Sequence, residues 1–301
     1  AGSAVSLQAR FAAADIPVSG PRGKDLSLVV WATTIGAVVG PNLIAPGESL
    51  GLAIGLPHLA GPFLFTIFAQ TTSTLIFWFG LRPDPLLIAK EIAGLPARRV
   101  NPDFKAAIAV IRERPMAGYA VLTIALSHMV MVSVMSMTPA HLSAGGHSLS
   151  DVGLTISLHI AGMYAFSPLV GKFADRHGKL LSISIGAGLL VAATIMAALA
   201  GEAATLLWPS LWLLGLGWSF GLIGGSSLLV ESVPDSSRVT VQGAADLLMS
   251  FSGGLAGFSS GFIRKAFGFH TLSNLGTVLA LVLVVIGIRR LTSVRVARQS
   301  L

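Results

Sequence analysis

His128, Met131 and Met135 stand at positions i, i+3 and i+7 of an apolar run, so a helix there carries them on one face. An imidazole can move a proton, accept a hydrogen bond or bind a metal, and a thioether is soft and adaptable. Three chemistries fit this spacing: packing against core or lipid, a loosely selective apolar pocket, and a soft-metal site such as one for Cu(I). Gln70, His159 and Asp246 also interrupt apolar runs. An ionisable group inside a membrane is costly, which makes each a candidate for handling solute or protons. Each is equally readable as a packing residue. His159 lies seven residues after Val152, in the outer half of its run, and Asp246 lies near the opposite boundary. At one such boundary, residues 171–179 concentrate Lys172, Asp175, Arg176 and Lys179 in nine positions, while only 11% of the chain is charged.

No paired carboxylates, His-Glu-x-x-His, Gly-x-Ser-x-Gly or phosphate-cradling glycine loop occurs, so the sequence gives no reason to expect an enzyme or an ATP-driven pump. The 301 residues include no cysteine, which removes disulfides, thiolate metal sites and a thiol nucleophile. No metal and no cofactor is expected.

The elements that must position these residues are membrane helices. The chain is 53% hydrophobic with a mean hydropathy of +0.79, too apolar for a soluble domain of this size. Spans of roughly 20 apolar residues fall at 26–44, 58–80, 116–139, 152–170, 180–200, 206–230, 241–263 and 272–288. Threading these eight spans puts all but Arg264 and Lys265 of the 20 Lys and Arg residues on one side. By the positive-inside rule that side, with the C-terminus, is cytoplasmic. The net charge of +7 therefore sets topology, and no nucleic-acid partner is expected. The fold class is all-α and polytopic. Residues 82–115 hold five prolines and mixed charge, and read as a cytoplasmic linker with a short amphipathic helix at 103–112. Residues 171–179 read as a tight loop, with Gly171 permitting close helix approach and Gly178 taking the positive φ of a reversal.

The pattern Gly171-x-x-x-Asp175-Arg176-x-Gly178-Lys179 resembles the loop signature of the major facilitator superfamily of transporters. Gly36-x-x-x-Gly40-Pro41 resembles the antiporter motif in the fifth helix of that family's drug:proton exporters, with Asn42-Leu43-Ile44 where paired glycines would follow. Gly36 and Gly40 match Gly253 and Gly257 at an offset of 217, as the two-half plan implies for helices five and eleven. The resemblance implies the end of helix four through helix twelve. Residues 1–81 would form an incomplete N-terminal bundle, 82–115 the linker, and 116–301 a six-helix C-terminal bundle with a basic tail. It implies a monomeric inner-membrane secondary transporter acting by alternating access, with a small solute and protons as partners. Proton-coupled efflux of apolar or cationic compounds is the leading expectation. Transport of a soft metal ion or another solute, and a non-transporting sensor or scaffold, stay open. It also implies a gate in which Asp175 meets the start of helix five near Arg22 and Lys24.

Overall fold

The computed structural model describes residues 34–80, 82, 88, 104–201 and 203–299, and their regular structure is helix. The chain divides into two units, Ala1–Asn101 and Pro102–Leu301.

In the first unit, residues 34–42 are helical, Leu43 is a turn, and α1 (Ile44–Ala53) follows. Pro41 has no N–H to give, and the Leu43 N–H reaches back only three residues, to Gly40 O at 3.0 Å. The Gly-Pro motif thus breaks the helix locally. Pro46 sits in the first turn of α1, where its missing N–H costs nothing. The expected span end at 44 is therefore corrected: helix continues to Ala53. There Gly55 (φ 80°) closes it, with Leu56 N–H bonding Gly51 O at 2.9 Å and Gly55 N–H bonding Leu52 O at 3.1 Å. This is a Schellman closure. The next helix, α2 (Pro62–Gly80), starts four residues after His58, where the sequence pattern had placed the start. The intervening turn is held by glycine. A Cβ on Gly47 would lie 2.8 Å from Pro62 Cα, and one on Gly51 would overlap the backbone of Gly61.

The second unit opens with α3 (Phe104–Glu113), the amphipathic helix expected at 103–112, which packs on the bundle behind it. Then come α4 (Pro115–Met135), α5 (Thr138–Ala144), α6 (Leu149–Tyr164), α7 (Ser167–His177), α8 (Lys179–Leu199), α9 (Ala204–Ser232) and α10 (Asp235–Gln299). The apolar part of α10 covers 53 residues. At about 1.5 Å per residue that is roughly 80 Å, more than twice a hydrocarbon core of about 30 Å. Gly268 (φ 85°, ψ 168°) divides it into two passes, matching the two spans expected there.

At the hub of this unit, α9 packs against α4, α6, α7 and α8. Its glycines make that possible. A Cβ on Gly215 would overlap His159 O, one on Gly217 would lie 3.0 Å from Gly186 O, and one on Gly225 would lie 2.8 Å from Ile124. Without a hydrophobic drive between helices in lipid, close approach and hydroxyl bonds provide the adhesion. Ser136 bonds Ser260 and Thr194 bonds Thr277, each at 2.8 Å, while Ser210 donates to Ala193 O at 2.9 Å.

Candidate functional site

Mid-depth in the second unit, four helices bring polar and aromatic side chains together. Trp218 is the middle residue of the 29 in α9. It is 5% exposed, and its indole N–H donates to His128 Nδ1 of α4 at 3.1 Å. A buried indole N–H needs such a partner. Tyr164 of α6 stands edge-on to Trp218, with ring centroids 5.7 Å apart. Gly253 of α10 supplies the space for the imidazole: a Cβ there would lie 2.5 Å from His128 Cδ2 and 2.6 Å from Nε2.

This geometry fixes the tautomer. Indole only donates, so Nδ1 accepts, and the neutral ring carries its proton on Nε2. His128 therefore presents an N–H toward the Gly253 face of α10. The lone pair a soft metal would use on Nδ1 is committed to Trp218. Met131 is buried in the bundle core with Val130, Val134 and Met163, and Met135 packs half-buried against that core. Among the described residues no three His, Cys, Asp or Glu side chains gather as a metal set.

His159 is 1% exposed and donates through Nδ1 to Leu211 O at 2.8 Å. Leu211 precedes Trp218 by seven residues, about 10 Å along α9, so His159 on α6 and His128 on α4 meet α9 at different depths. Asp246 lies exposed on α10, seven residues before Gly253. Gln70 is exposed on α2 of the other unit. A recess of about 260 Å³ between α4 and the passes of α10 is lined by Met129, Ser133, Leu255, Ile263, Leu272 and Leu279, with no titratable group.

The charged stretch 171–179 is corrected from a loop to helix. α7 runs to His177, and only Gly178 (φ 97°) turns the chain before Lys179 opens α8. Gly171 is not a close-approach point among the described residues, since a Cβ there meets nothing within 4 Å. Lys179 Nζ binds Glu231 at 2.7 Å and Asp175 at 3.6 Å, so the α7–α8 turn is tied to the end of α9. Arg176 is exposed. Arg22 and Lys24, the expected gate partners, lie outside the described residues. Among the described residues, Gly36 and Gly40 also meet nothing within 4 Å of a Cβ. Arg114, bonded to Ser232 O, marks this same end, whereas Arg264 bonds Ala140 O at the opposite end.

Sequence reasoning missed Trp218, Tyr164 and Glu231. An indole at the centre of a glycine-rich span, the deepest of its three tryptophans, was the available signal for the first, because its N–H has no water to bond in hydrocarbon.

Comparison with known proteins agrees with this architecture. The family model described as Major Facilitator Superfamily matches residues 9–258. The chain is 38% identical over 285 residues to the uncharacterized MFS-type transporter YdeG of Bacillus subtilis, and 37% identical over 288 residues to YddS of the same organism. Each alignment covers 94% of this chain and 66% of the relative. It is 29% identical over 289 residues to the riboflavin transporter RfnT of Brucella anthropi, covering 91% of this chain and 66% of that one. The chain thus spans about two thirds of the length of these curated relatives. These relatives are named as transporters, not enzymes, and the family match with the long apolar helices indicates a multi-pass membrane protein. The chain belongs to the Major Facilitator Superfamily.

Proposed function

We propose that the protein is a secondary transporter that moves a small solute by alternating access, coupled to protons and directed outward, with apolar or cationic compounds as cargo. Family membership supports transport. The observation that carries the choice of site is the Trp218–His128 hydrogen bond at mid-depth, beside Tyr164 and over Gly253. In a state that opens this seam, the Trp218 and Tyr164 rings would suit an apolar or cationic solute, and the His128 N–H would give one polar point of selection. The inward-facing role belongs to the basic end, where Asp175, Lys179 and Glu231 would fasten the closed state.

The test uses everted vesicles containing the full-length transporter, a pH-sensitive dye inside, and fluorescent lipophilic cations outside. Saturable uptake that collapses with the proton gradient is the expected result. His128→Gln should lower it about tenfold, the loss of one hydrogen bond to solute. Uptake that persists without a gradient overturns the coupling.

A second reading rests on the relative named a riboflavin transporter. The Trp218–Tyr164 pair would then hold a flat heteroaromatic ring. Uptake of labelled riboflavin by intact cells, with no efflux of cationic dyes, selects this reading over the first.

A further inference from the structure

Residues 34–80 contain two titratable side chains, Glu48 and His58, and the structure brings them together. Glu48 lies on α1 with its side chain 8% exposed, under the turn that joins α1 to α2. His58 lies in that turn with its side chain 74% exposed. Both carboxylate oxygens are engaged. Oε1 meets His58 Nδ1, and Oε2 accepts the Leu59 N–H at 2.9 Å. Leu59 has φ 64°, a left-handed conformation that L-residues with a side chain avoid. Its N–H points at the carboxylate, and the Gly47, Gly51 and Gly61 backbones close the hairpin around it. The helix packed against α1 is α2, which carries no titratable or charged side chain. No other charge among residues 34–80 therefore competes for this carboxylate.

We propose that Glu48 and His58 form a proton-binding site, and that protonation of Glu48 releases the turn 56–61. The exposed imidazole exchanges protons with water, and the buried carboxylate stores one. While Glu48 is ionised, two donors face two acceptor oxygens. Once a proton from water sits on the carboxyl, one oxygen becomes a donor itself. The Leu59 N–H then no longer faces a charge, its charge-assisted hydrogen bond weakens to a neutral one, and the left-handed turn at Leu59 loses part of what holds it. The assignment stands on the hairpin. It rests on the proton-coupled reading only for what the bound proton would go on to drive.

The test is hydrogen–deuterium exchange across a pH series, with the purified full-length protein in nanodiscs and rates corrected for intrinsic pH dependence. The 56–61 peptide should lose about tenfold or more of its protection as the pH falls, the equivalent of one hydrogen bond to a charged group. Glu48→Gln should give protection that no longer changes with pH. His58→Ala, at an exposed position, removes the donor to Oε1, so the pH profile of protection should change. Protection independent of pH in the parent protein overturns the proposal, as does an unaltered profile in Glu48→Gln. If that variant does not fold, an unchanged profile in His58→Ala overturns it instead. Exchange needs no solute, so a protein that titrates in this way yet moves nothing in vesicles sinks the transport reading and leaves this site standing.

Discussion

The hairpin of residues 34–80 and the bundle of residues 104–299 use glycine for the same purpose at different depths. In the bundle, Gly215, Gly217 and Gly225 let α9 approach its neighbours along its middle, and Leu207, Leu211 and Leu214 beside them are fully buried. In the hairpin, Gly47, Gly51 and Gly61 bring backbones together only at the turn, and α2 has no buried residue. Close approach decides where a polar group can be hidden. The bundle hides His159 and cradles His128 within the helix seam, and the hairpin hides Glu48 beneath its turn. In lipid, where apolar side chains gain little by leaving their surroundings, backbone proximity takes over the role that a hydrophobic core plays in water.

The largest expected effect breaks this comparison on the bundle side. Gly215→Ala puts a methyl group into the backbone of α6 at His159 and Met163. Helix backbones cannot yield as a flexible side chain does, so the bundle should lose about 2–3 kcal/mol. Gly188→Ala on α8 is the control, since among the described residues its Cβ meets nothing within 4 Å. Removing an unneeded glycine from a helix there should change stability by no more than about 1 kcal/mol, in the stabilising direction. Thermal unfolding in detergent, followed by size-exclusion chromatography, reads both. Equal melting temperatures for the two variants would mean that the glycine contacts on α9 do not hold the bundle together.

Why the sequence revealed some of this and not the rest follows from the same residues. Hydrocarbon demands long apolar runs, so six of the expected spans reappear as helices of the bundle, including the two that Gly268 separates within α10. The continuation of α1 to Ala53 was hidden because Pro46, Gly47 and Glu48 look like loop residues, and only the packing of Gly51 on Gly61 makes them helix. Glycine itself is ambiguous in one dimension. Gly171 and Gly215 look alike in the sequence, yet among the described residues one meets nothing and the other a backbone. His128 could be singled out by depth, but its partner could not, because Trp218 lies 90 residues away and the pairing is a fact of three dimensions.

A smaller effect sharpens the mid-depth side. Trp218→Phe keeps most of the ring volume and removes the N–H that His128 Nδ1 accepts. The stability cost should be about 1 kcal/mol, in line with hydrogen bonds between membrane helices. Its larger consequence is chemical. Freed from indole, the imidazole can carry its proton on either nitrogen, so nitrogen-15 spectra of the histidine should change from one tautomer to a mixture. A single Nε2–H tautomer surviving in the variant would show that something other than Trp218 sets it.

The smallest effect on stability separates fastening from gating at the basic end. Lys179 lies between Glu231 at 2.7 Å and Asp175 at 3.6 Å, and both carboxylates are more than half exposed. Exposed ion pairs contribute little and are screened by salt. Glu231→Gln should therefore lower stability by about 0.5 kcal/mol, and less in high salt, because it removes the shorter bond from a partly covered lysine. Asp175→Asn should leave the melting temperature unchanged. If these charges only staple α7, α8 and α9, neither variant should alter flux beyond its effect on folded protein. If they fasten a closed state, Asp175→Asn should reduce gradient-driven flux severalfold while folding and insertion stay intact. The flux of Asp175→Asn per folded molecule, measured in the same everted vesicles, distinguishes the two. A value equal to the parent's leaves Asp175 a topology-setting charge and removes it from the gate.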